Sequence, residues 1–393
     1  MDLVVDWLHL ILRWLHVIFG AAWIGTSFYF NWLNHSIRPP EPPREGIKGQ
    51  LFAVHGGAFY QVSKYAGAPA KLPDTLHWFK WEAYLTWISG VSLLAVVYYL
   101  NADMNLIDPS IMALTAGQAI GISIGSLVGG WFLYDGMCRS PLRHKPVLFA
   151  VIGFGLMTTA AWGLCQVFGS RAAYIHVGAI LGTMMAANVF RVIIPNQRIM
   201  VDAMINGEEP DTSLGEAGAL RSLHNNYITL PVLFIMVSNH YPMTYGHEWN
   251  WAVLAVIALV GAGTRHYFNL KSRGEQSVWI LPVAALAMVA LAFVTRPQAA
   301  VIPHGGSASV TWSDVESIVV QRCQSCHAET PTYPGFVEAP QGAIFDSPER
   351  FRAYRTKILQ MVVDSHIMPP GNLTSITDEE RAMIGVWLRQ EEG

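Results

Sequence analysis

Residues 173–195 read AYIHVGAILGTMMAANVFRVIIP, an apolar run whose most polar members are His176, Asn188 and Arg191. A helix needs about 20 apolar residues to cross the hydrocarbon core of a bilayer, and this run is long enough. The stretch therefore predicts a membrane-spanning helix that carries polar groups of its own.

Similar apolar runs recur along the chain. They lie near residues 8–33, 78–100, 111–133, 147–168, 218–240, 251–269 and 278–296. Hydrophobic residues make up 52% of the chain and charged residues 13%, whereas soluble proteins average about 25% charged. We therefore predict an all-α fold built on a bundle of eight transmembrane helices. The formal net charge of -3 indicates no nucleic-acid partner.

One interpretation of the bundle is a duplicated set of four helices. Residues 14–17 (WLHV) open the first run, and residues 174–177 (YIHV) open the fifth. Because four is an even number, the two halves would share their orientation in the membrane.

Charge asymmetry predicts the orientation of the helices in the lipid bilayer. Lysine and arginine concentrate in the loops after the first, third, fifth and seventh runs, and the opposite side has Arg171 and Arg296. Cytoplasmic loops carry this excess, so both chain ends are expected in the periplasm of a bacterial inner membrane. The start of the chain has two acids and no basic residue before the first run, unlike a secretory signal peptide.

Two connections stand out from the apolar runs. Residues 34–76 form a long loop, and the glycine-marked string His55–Tyr60 predicts an ordered segment folded against the helices. Residues 297–310 are rich in proline, glycine and serine and predict a linker. The expected domains are therefore a membrane domain over 1–296, the linker, and a soluble domain over 311–393.

The soluble domain contains Cys323-Gln324-Ser325-Cys326-His327. This C-x-x-C-H spacing is typical of a c-type haem site, in which Cys323 and Cys326 bond the porphyrin and His327 ligates the iron. We expect Met368, before two prolines, to be the sixth ligand, since a thioether raises the haem potential. Met361 and His366 are the alternatives.

Three helices are predicted around this motif, so the domain is expected to be a small periplasmic cytochrome c of the class I type. The first covers 311–321 and the second 347–365. The last begins at Thr377, with Glu380 three residues later in a capping-box pattern. The first and last helices are expected to pack together.

Ionisable residues inside spanning segments are costly and often functional. His16 lies well inside the first run, and residues 14–30 resemble the first helix of membrane haem-b proteins such as the haem-containing protoporphyrinogen oxidases. With the matching His176, this resemblance predicts one or two haem b groups. His77 and His224 form a second layer that could bind a further haem or line a substrate pocket.

Further strings resemble the bacterial membrane-bound urate oxidases. They are residues 222–234 (SLHNNYITLPVLF), 238–242 (SNHYP), 23–28 (WIGTSF) and 55–60 (HGGAFY). The resemblance implies eight helices followed by a cytochrome c domain. It also implies oxidation of urate to 5-hydroxyisourate, with electrons passing through haem c to a respiratory cytochrome or terminal oxidase instead of directly to oxygen.

A planar urate anion needs cations, amide donors and a base near it. The polar residues near the cytoplasmic ends of the helices could supply these groups. The candidates are His77, Lys80, Glu82, Arg191, His224, Asn225 and Asn226. The alternative interpretation is a buried polar network that only locks the helices together.

A cytoplasmic site lies about 30 Å from a periplasmic haem, so it needs an intermediate carrier such as haem b. Without one, the site must open toward the periplasm near His176, His240 or His247. Two other functions remain open: a haem-b oxidoreductase acting on a porphyrinogen or quinol, and a non-enzymatic electron conduit.

Overall fold

The computed structural model describes residues 2–67, 69, 73–296, 310–334 and 336–390, and most of them are helical. In the first part the helices are α1 (Asp2–Ser36), α2 (Trp81–Leu94), α3 (Ala102–Asn105), α4 (Ala116–Arg139), α5 (Pro146–Cys165), α6 (Ser170–Ala187), α7 (Ile194–Ile205), α8 (Thr212–Ser238), α9 (Pro242–Tyr245), α10 (Asn250–Ser272) and α11 (Ile280–Val294). Helices lie at all eight of the apolar runs. The predicted linker lies almost wholly at 297–309, outside the described residues.

Two π-helical turns interrupt these helices. One extends α2 over Ala95–Tyr99, and the other joins α6 to α7 over Asn188–Ile193. Such turns occur often at functional sites, and the second begins at a polar residue that the opening stretch singled out.

Within the described residues, five helical stretches are long and apolar enough to cross a membrane. They are Leu3–Ser36, Ala116–Arg139, Pro146–Cys165, Ser170–Ile205 and Asn250–Ser272. The chain is therefore compatible with a membrane protein. The helix α8 has 27 residues, but it is too polar to be counted among the five. The helix α11 has 15 residues, which is about 22 Å of rise and shorter than the predicted run.

The segment between α1 and α2 departs from the all-α prediction. Strands β1 (Ile47–His55) and β2 (Ala58–Tyr65) form an antiparallel hairpin. Gly56 and Gly57 make its two-residue turn with positive φ values of 59° and 80°, as a twisted hairpin requires. The expected packing against the helices is wrong for its tip, where Phe59 is 80% exposed.

The core of the helical body lies where α4, α5, α6, α8 and α10 converge. Its fully buried members include Phe168, Tyr174 and Ile235. At Gly178 of α6, an added Cβ would lie 2.6 Å from a methyl group of Ile235 on α8. The glycine therefore allows a close approach, which brings the polar ends of these two helices together.

The C-terminal unit, residues 310–390, has its own core. Its helices are α12 (Trp312–Arg322), α13 (Pro348–Ala353), α14 (Arg355–Ile358) and α15 (Asp378–Arg389), with a π-helical turn over Leu359–Asp364. The single helix expected over 347–365 is therefore broken. The capping box of Thr377 and Glu380 is confirmed. The helices α12 and α15 pack together as predicted, with the rings of Trp312 and Trp387 5.0 Å apart.

Candidate functional site

Two adjacent asparagines on α8 belong to different polar clusters. Successive helical residues differ in direction by about 100°. Asn225 therefore turns toward α6, where Asn188 bonds it at 2.8 Å, while Asn226 turns toward Arg265 on α10. The sequence predicted both asparagines as site residues, and the structure separates them.

The Asn225 cluster consists of Tyr134, Asp135, Asn188, Arg221 and Asn225. Asn188 donates to the hydroxyl of Tyr134 (3.0 Å) and accepts from Arg221 (3.1 Å). Asn225 donates to a backbone carbonyl of α6 at 3.0 Å. Among the described residues, none of these buried side-chain atoms lacks a partner. The cluster therefore has the properties of a network that locks α4, α6 and α8 together.

An ion pair completes this cluster. Arg221 donates to Asp135 at 2.5 Å, and the two side chains are 5% and 13% exposed. Asp135 also accepts from the exposed Arg139 at 2.7 Å. The buried cation thus has its counter-charge within the protein.

His224 borders the Asn225 cluster. Its Nδ1 lies 2.9 Å from the hydroxyl of Tyr134, and its ring stacks on Phe149 with centroids 4.5 Å apart. The predicted pair His224 and Asn225 is therefore brought together, but within a network in which both already have partners.

The Arg265 cluster consists of Phe28, Asn31, Asn226, Arg265 and Asn269. Arg265 and Asn269 donate to Oδ1 of Asn226 at 3.0 and 2.9 Å, and Asn31 donates to Asn269 at 2.9 Å. The guanidinium lies 4.0 Å from the ring centroid of Phe28. Four of these five residues were not predicted as site residues. The sequence did contain one indication of this cluster: Arg265 and Asn269 lie four residues apart in an apolar run, and therefore on one face of the helix.

A basic cleft of about 470 Å³ lies between α2 and α7. Its lining residues are Lys80, Tyr84, Phe190, Arg191, Ile194, Pro195 and Arg198. Lys80 and Arg191, two of the predicted site residues, therefore lie in one cleft together with a third cation, Arg198. His77 and Glu82 are not part of this lining; His77 instead packs edge-on against Phe79, with centroids 4.5 Å apart.

The two candidate haem-b ligands lie against different parts of the second helical run. His16 places Nδ1 3.0 Å from the carbonyl of Thr86 and packs on Gly90. His176 is fully buried beside Tyr98, and both its nitrogens are engaged, with Ser123 and with a backbone carbonyl at 2.7 Å each. The structure therefore does not bring the two histidines to one metal. Among described contacts, His16 alone of the two keeps Nε2 unbonded.

In the C-terminal unit, the Cys-x-x-Cys-His motif follows α12 directly. Both cysteines are free thiols, and His327 places Nδ1 2.8 Å from the carbonyl of Ala343. This contact orients the ring and leaves Nε2 for a metal, as is common when the other ring nitrogen of a metal-bound histidine bonds a backbone carbonyl. Burial lowers the pKa of His327, which favours the neutral, ligating form.

The predicted sixth ligand, Met368, packs against the core of the C-terminal unit. Arg381 of α15 donates to its carbonyl at 2.7 Å and fixes the loop. The alternative His366 is exposed and faces Asp378 at 3.7 Å. The donor set of two thiols, an imidazole and a thioether fits a covalently bound haem.

The loop that carries Met368 faces the helical body. Beyond it, Gly371 lies so close to the carbonyl of Ile107 that an added Cβ would be 2.9 Å away. Before it, Ser365 contacts Gly246, and Ile367 packs on the core of the body. The methionine side of the C-terminal unit is therefore docked on the end of the body formed by α3 and α9.

Comparison with known proteins gives one match. No curated protein and no solved structure matches the chain. The model of a family described as "Urate oxidase N-terminal" matches residues 2–296 of the 393, which is the entire helical body and most of the chain. The protein therefore belongs to the urate oxidase N-terminal family, a relationship that indicates a urate-related oxidoreductase.

Proposed function

We propose that the protein oxidises urate to 5-hydroxyisourate and passes the electrons through haem c in the C-terminal unit to a respiratory acceptor. One observation carries this proposal: a body of the urate oxidase family is fused, in one chain, to a Cys-x-x-Cys-His motif with a packed methionine. A fused haem makes a direct reaction with oxygen unnecessary, so no peroxide is expected.

The reaction balances without oxygen. Urate and one water give 5-hydroxyisourate, two electrons and two protons. A bound haem c supplies a one-electron acceptor, so each turnover needs two successive one-electron transfers. The acceptor is then a soluble or membrane cytochrome, or a terminal oxidase, and it takes two electrons for each urate.

The residues of the body must hold the anion and take its protons. The proposed candidates remain His77, Lys80, Glu82, Arg191, His224, Asn225 and Asn226. Lys80 and Arg191 line the basic cleft, and Asn225 and Asn226 belong to the two clusters. Histidine suits the transfer of protons near neutral pH. Arginine suits a planar anion with several acceptors.

We place the enzyme in a bacterial inner membrane, with the N-terminus and the C-terminal unit in the periplasm. The distribution of lysine and arginine supports this orientation. The docked C-terminal unit supports the same orientation. It contacts the body beside α9, which directly precedes the start of α10 at Asn250. Arg265 lies near the other end of α10.

Electrons then have a long way to travel. The candidate residue Asn226 accepts a hydrogen bond from Arg265 of α10. Arg265 lies 15 residues along α10 from Asn250, which is about 22 Å. Electron transfer slows exponentially with distance, so this gap calls for a redox centre between substrate and C-terminal unit. His16 is a described side chain able to hold one, since its Nδ1 is oriented by the carbonyl of Thr86 and its Nε2 has no bond among the described contacts.

The function is tested by mixing oxidised, purified protein with urate under anaerobic conditions. We expect the absorption band of reduced haem c to appear, and two equivalents of a one-electron acceptor to be consumed per urate in steady state. Dithionite serves as the control for a competent haem. If dithionite reduces the haem and urate does not, the proposal is wrong.

Docking of the C-terminal unit makes a second test. Gly371 has a φ of +56° and touches the body, so Gly371→Ala introduces a clash with the carbonyl of Ile107. Such overpacking costs about 1–3 kcal/mol, enough to weaken docking by about tenfold. We expect stopped-flow reduction of haem by urate to slow by up to about tenfold, the limit reached when the undocked state dominates, with dithionite reduction unchanged.

Gly274→Ala is the matched control for Gly371→Ala. Gly274 also has a positive φ, of +84°, yet nothing lies within 4 Å of an added Cβ. This variant carries the backbone strain without the clash. Equal rates of urate-driven reduction in the two variants would contradict a role for the docked face.

A further inference from the structure

Arg265 is a buried cation without a counter-ion. Its exposure is 7%, and among the described residues no carboxylate lies within ion-pair distance of it. Its polar partner is the amide oxygen of Asn226, and its flat face lies on Phe28. Buried charges in proteins are normally paired. By contrast, the other buried arginine of α8 and α10, Arg221, has Asp135 beside it.

Asn226 adds an unpartnered donor to the same place. The side chain is 2% exposed, and its Oδ1 accepts from both Arg265 and Asn269. Two donors on one oxygen fix which way the amide points. The Nδ2 group therefore faces away from both of them, and it has no hydrogen-bond partner among the described residues. Native proteins rarely leave a buried donor unsatisfied.

These two observations define the chemistry of a ligand that would complete the cluster. It must bring negative charge for the guanidinium and a hydrogen-bond acceptor for the amide. Arginine presents its donors in a planar fork that matches a flat anion with neighbouring acceptors. Phe28 makes one wall of the cluster apolar and aromatic, which suits a flat ring.

We propose that Arg265 and the amide of Asn226 form the recognition site for the urate monoanion, a planar purine with acceptors along its edges. This inference rests on the proposed function and deepens it. The basic cleft at Lys80 and Arg191 is open and lacks such an orphaned, fixed donor, so it is not the site of recognition.

The sharpest test is Asn226→Asp, which has nearly the same shape. The substitution puts a carboxylate against Arg265 and removes the free donor. If Arg265 holds urate, the internal carboxylate takes the place of the substrate, and urate binding by equilibrium dialysis weakens. Loss of one partner of a buried charged contact weakens binding by about thirty-fold or more. Thermal stability without urate is expected to stay equal or rise.

Two arginine variants complete the test. Arg265→Met removes the charge, and Arg265→Lys keeps the charge but not the planar fork; both should weaken urate binding about thirty-fold or more. The matched control is Arg273→Met, directly after the end of α10, where the side chain is exposed and bonds His35. This variant should bind urate as the wild type does.

The outcomes separate the two proposals. Wild-type protein that neither binds nor oxidises urate overturns the proposed function. Wild-type protein that binds and oxidises urate, together with an Asn226→Asp protein of unchanged urate affinity, overturns the recognition site alone. A rise in stability with unchanged affinity would show that Arg265 is a structural cation. Should Arg265→Met fail to fold, Asn226→Asp and Arg265→Lys decide the question.

Discussion

Replacing Cys326 by alanine is expected to abolish covalent haem attachment and urate turnover while the helical body stays folded. The thioether bonds require the thiols of Cys323 and Cys326, and both are free in the structure. The body has its own core, separate from that of the C-terminal unit, so helix packing does not depend on the haem. Haem staining after denaturing electrophoresis measures the covalent haem directly.

The same variant also reports on the redox centre proposed near His16. A non-covalent haem b would survive the substitution, so a pyridine haemochrome assay of Cys326→Ala would detect it without interference from haem c. Cys165→Ala is the matched control, because Cys165 is a buried thiol that belongs to the core of the body and not to the motif, and the haem c content of this variant should be normal. Normal urate consumption by Cys326→Ala would show that the C-terminal unit is dispensable.

Replacing Arg221 by methionine is expected to destabilise the body strongly. The substitution leaves Asp135 and the side-chain oxygen of Asn188 without their buried donor. Removal of one partner of a buried pair costs about 3–5 kcal/mol. Because Asp135 keeps its bond to Arg139, we expect a loss at the lower end of this range. The free energy of unfolding, measured in detergent with denaturant, should fall by about 3 kcal/mol.

Arg139→Met supplies the matched control for Arg221→Met. Arg139 bonds the same carboxylate, but its side chain is 75% exposed, and exposed pairs are worth about 0–1 kcal/mol. The double variant Arg221→Met with Asp135→Leu should recover much of the loss, since no buried charge is then left unpaired and Arg139 is exposed to solvent. Equal effects of the two arginine substitutions would contradict a locking role for the Asn225 cluster.

Arg221 and Arg265, the buried arginines of α8 and α10, therefore have different expected roles. Arg221 is paired within the protein, so its loss should affect stability first. In the described part of the chain, Arg265 has no carboxylate within ion-pair distance, and the amide donor beside it has no partner. Its loss should therefore affect ligand binding first. The sequence could not distinguish these two roles, because both residues are arginines in the polar part of an otherwise apolar helix.

Much of the fold could be predicted from local patterns. The backbone groups of a long apolar run find no water to bond in a lipid bilayer. Helices occur at each of these runs because a helix satisfies its own backbone hydrogen bonds. The helix start at Thr377 could be predicted because Glu380 lies three residues later, which is the spacing of a capping box. The hairpin at Gly56 and Gly57 could also have been predicted, because two adjacent glycines favour a two-residue turn with positive φ values. The length and apolar content of this segment indicate only an ordered loop.

The candidate site was predicted only in part. The sequence picked out His224, Asn225 and Asn226 as one polar string on α8. Neighbouring residues on a helix point in different directions, and the partners that decide their roles come from other helices. Asn188 comes from the junction of α6 and α7, and Arg265 from α10. No spacing within α8 could reveal this division.

The sequence by itself determined the helical body, the Cys-x-x-Cys-His motif with its nearby methionine, and the division between the two. These features depend on local composition and on residues only a few positions apart. The tertiary structure alone decided which polar groups are paired, which are orphaned, and which face of the C-terminal unit meets the body. Such properties depend on contacts between segments distant in the chain, such as Phe28 with Arg265 and Ile107 with Gly371. Only folding brings these segments together.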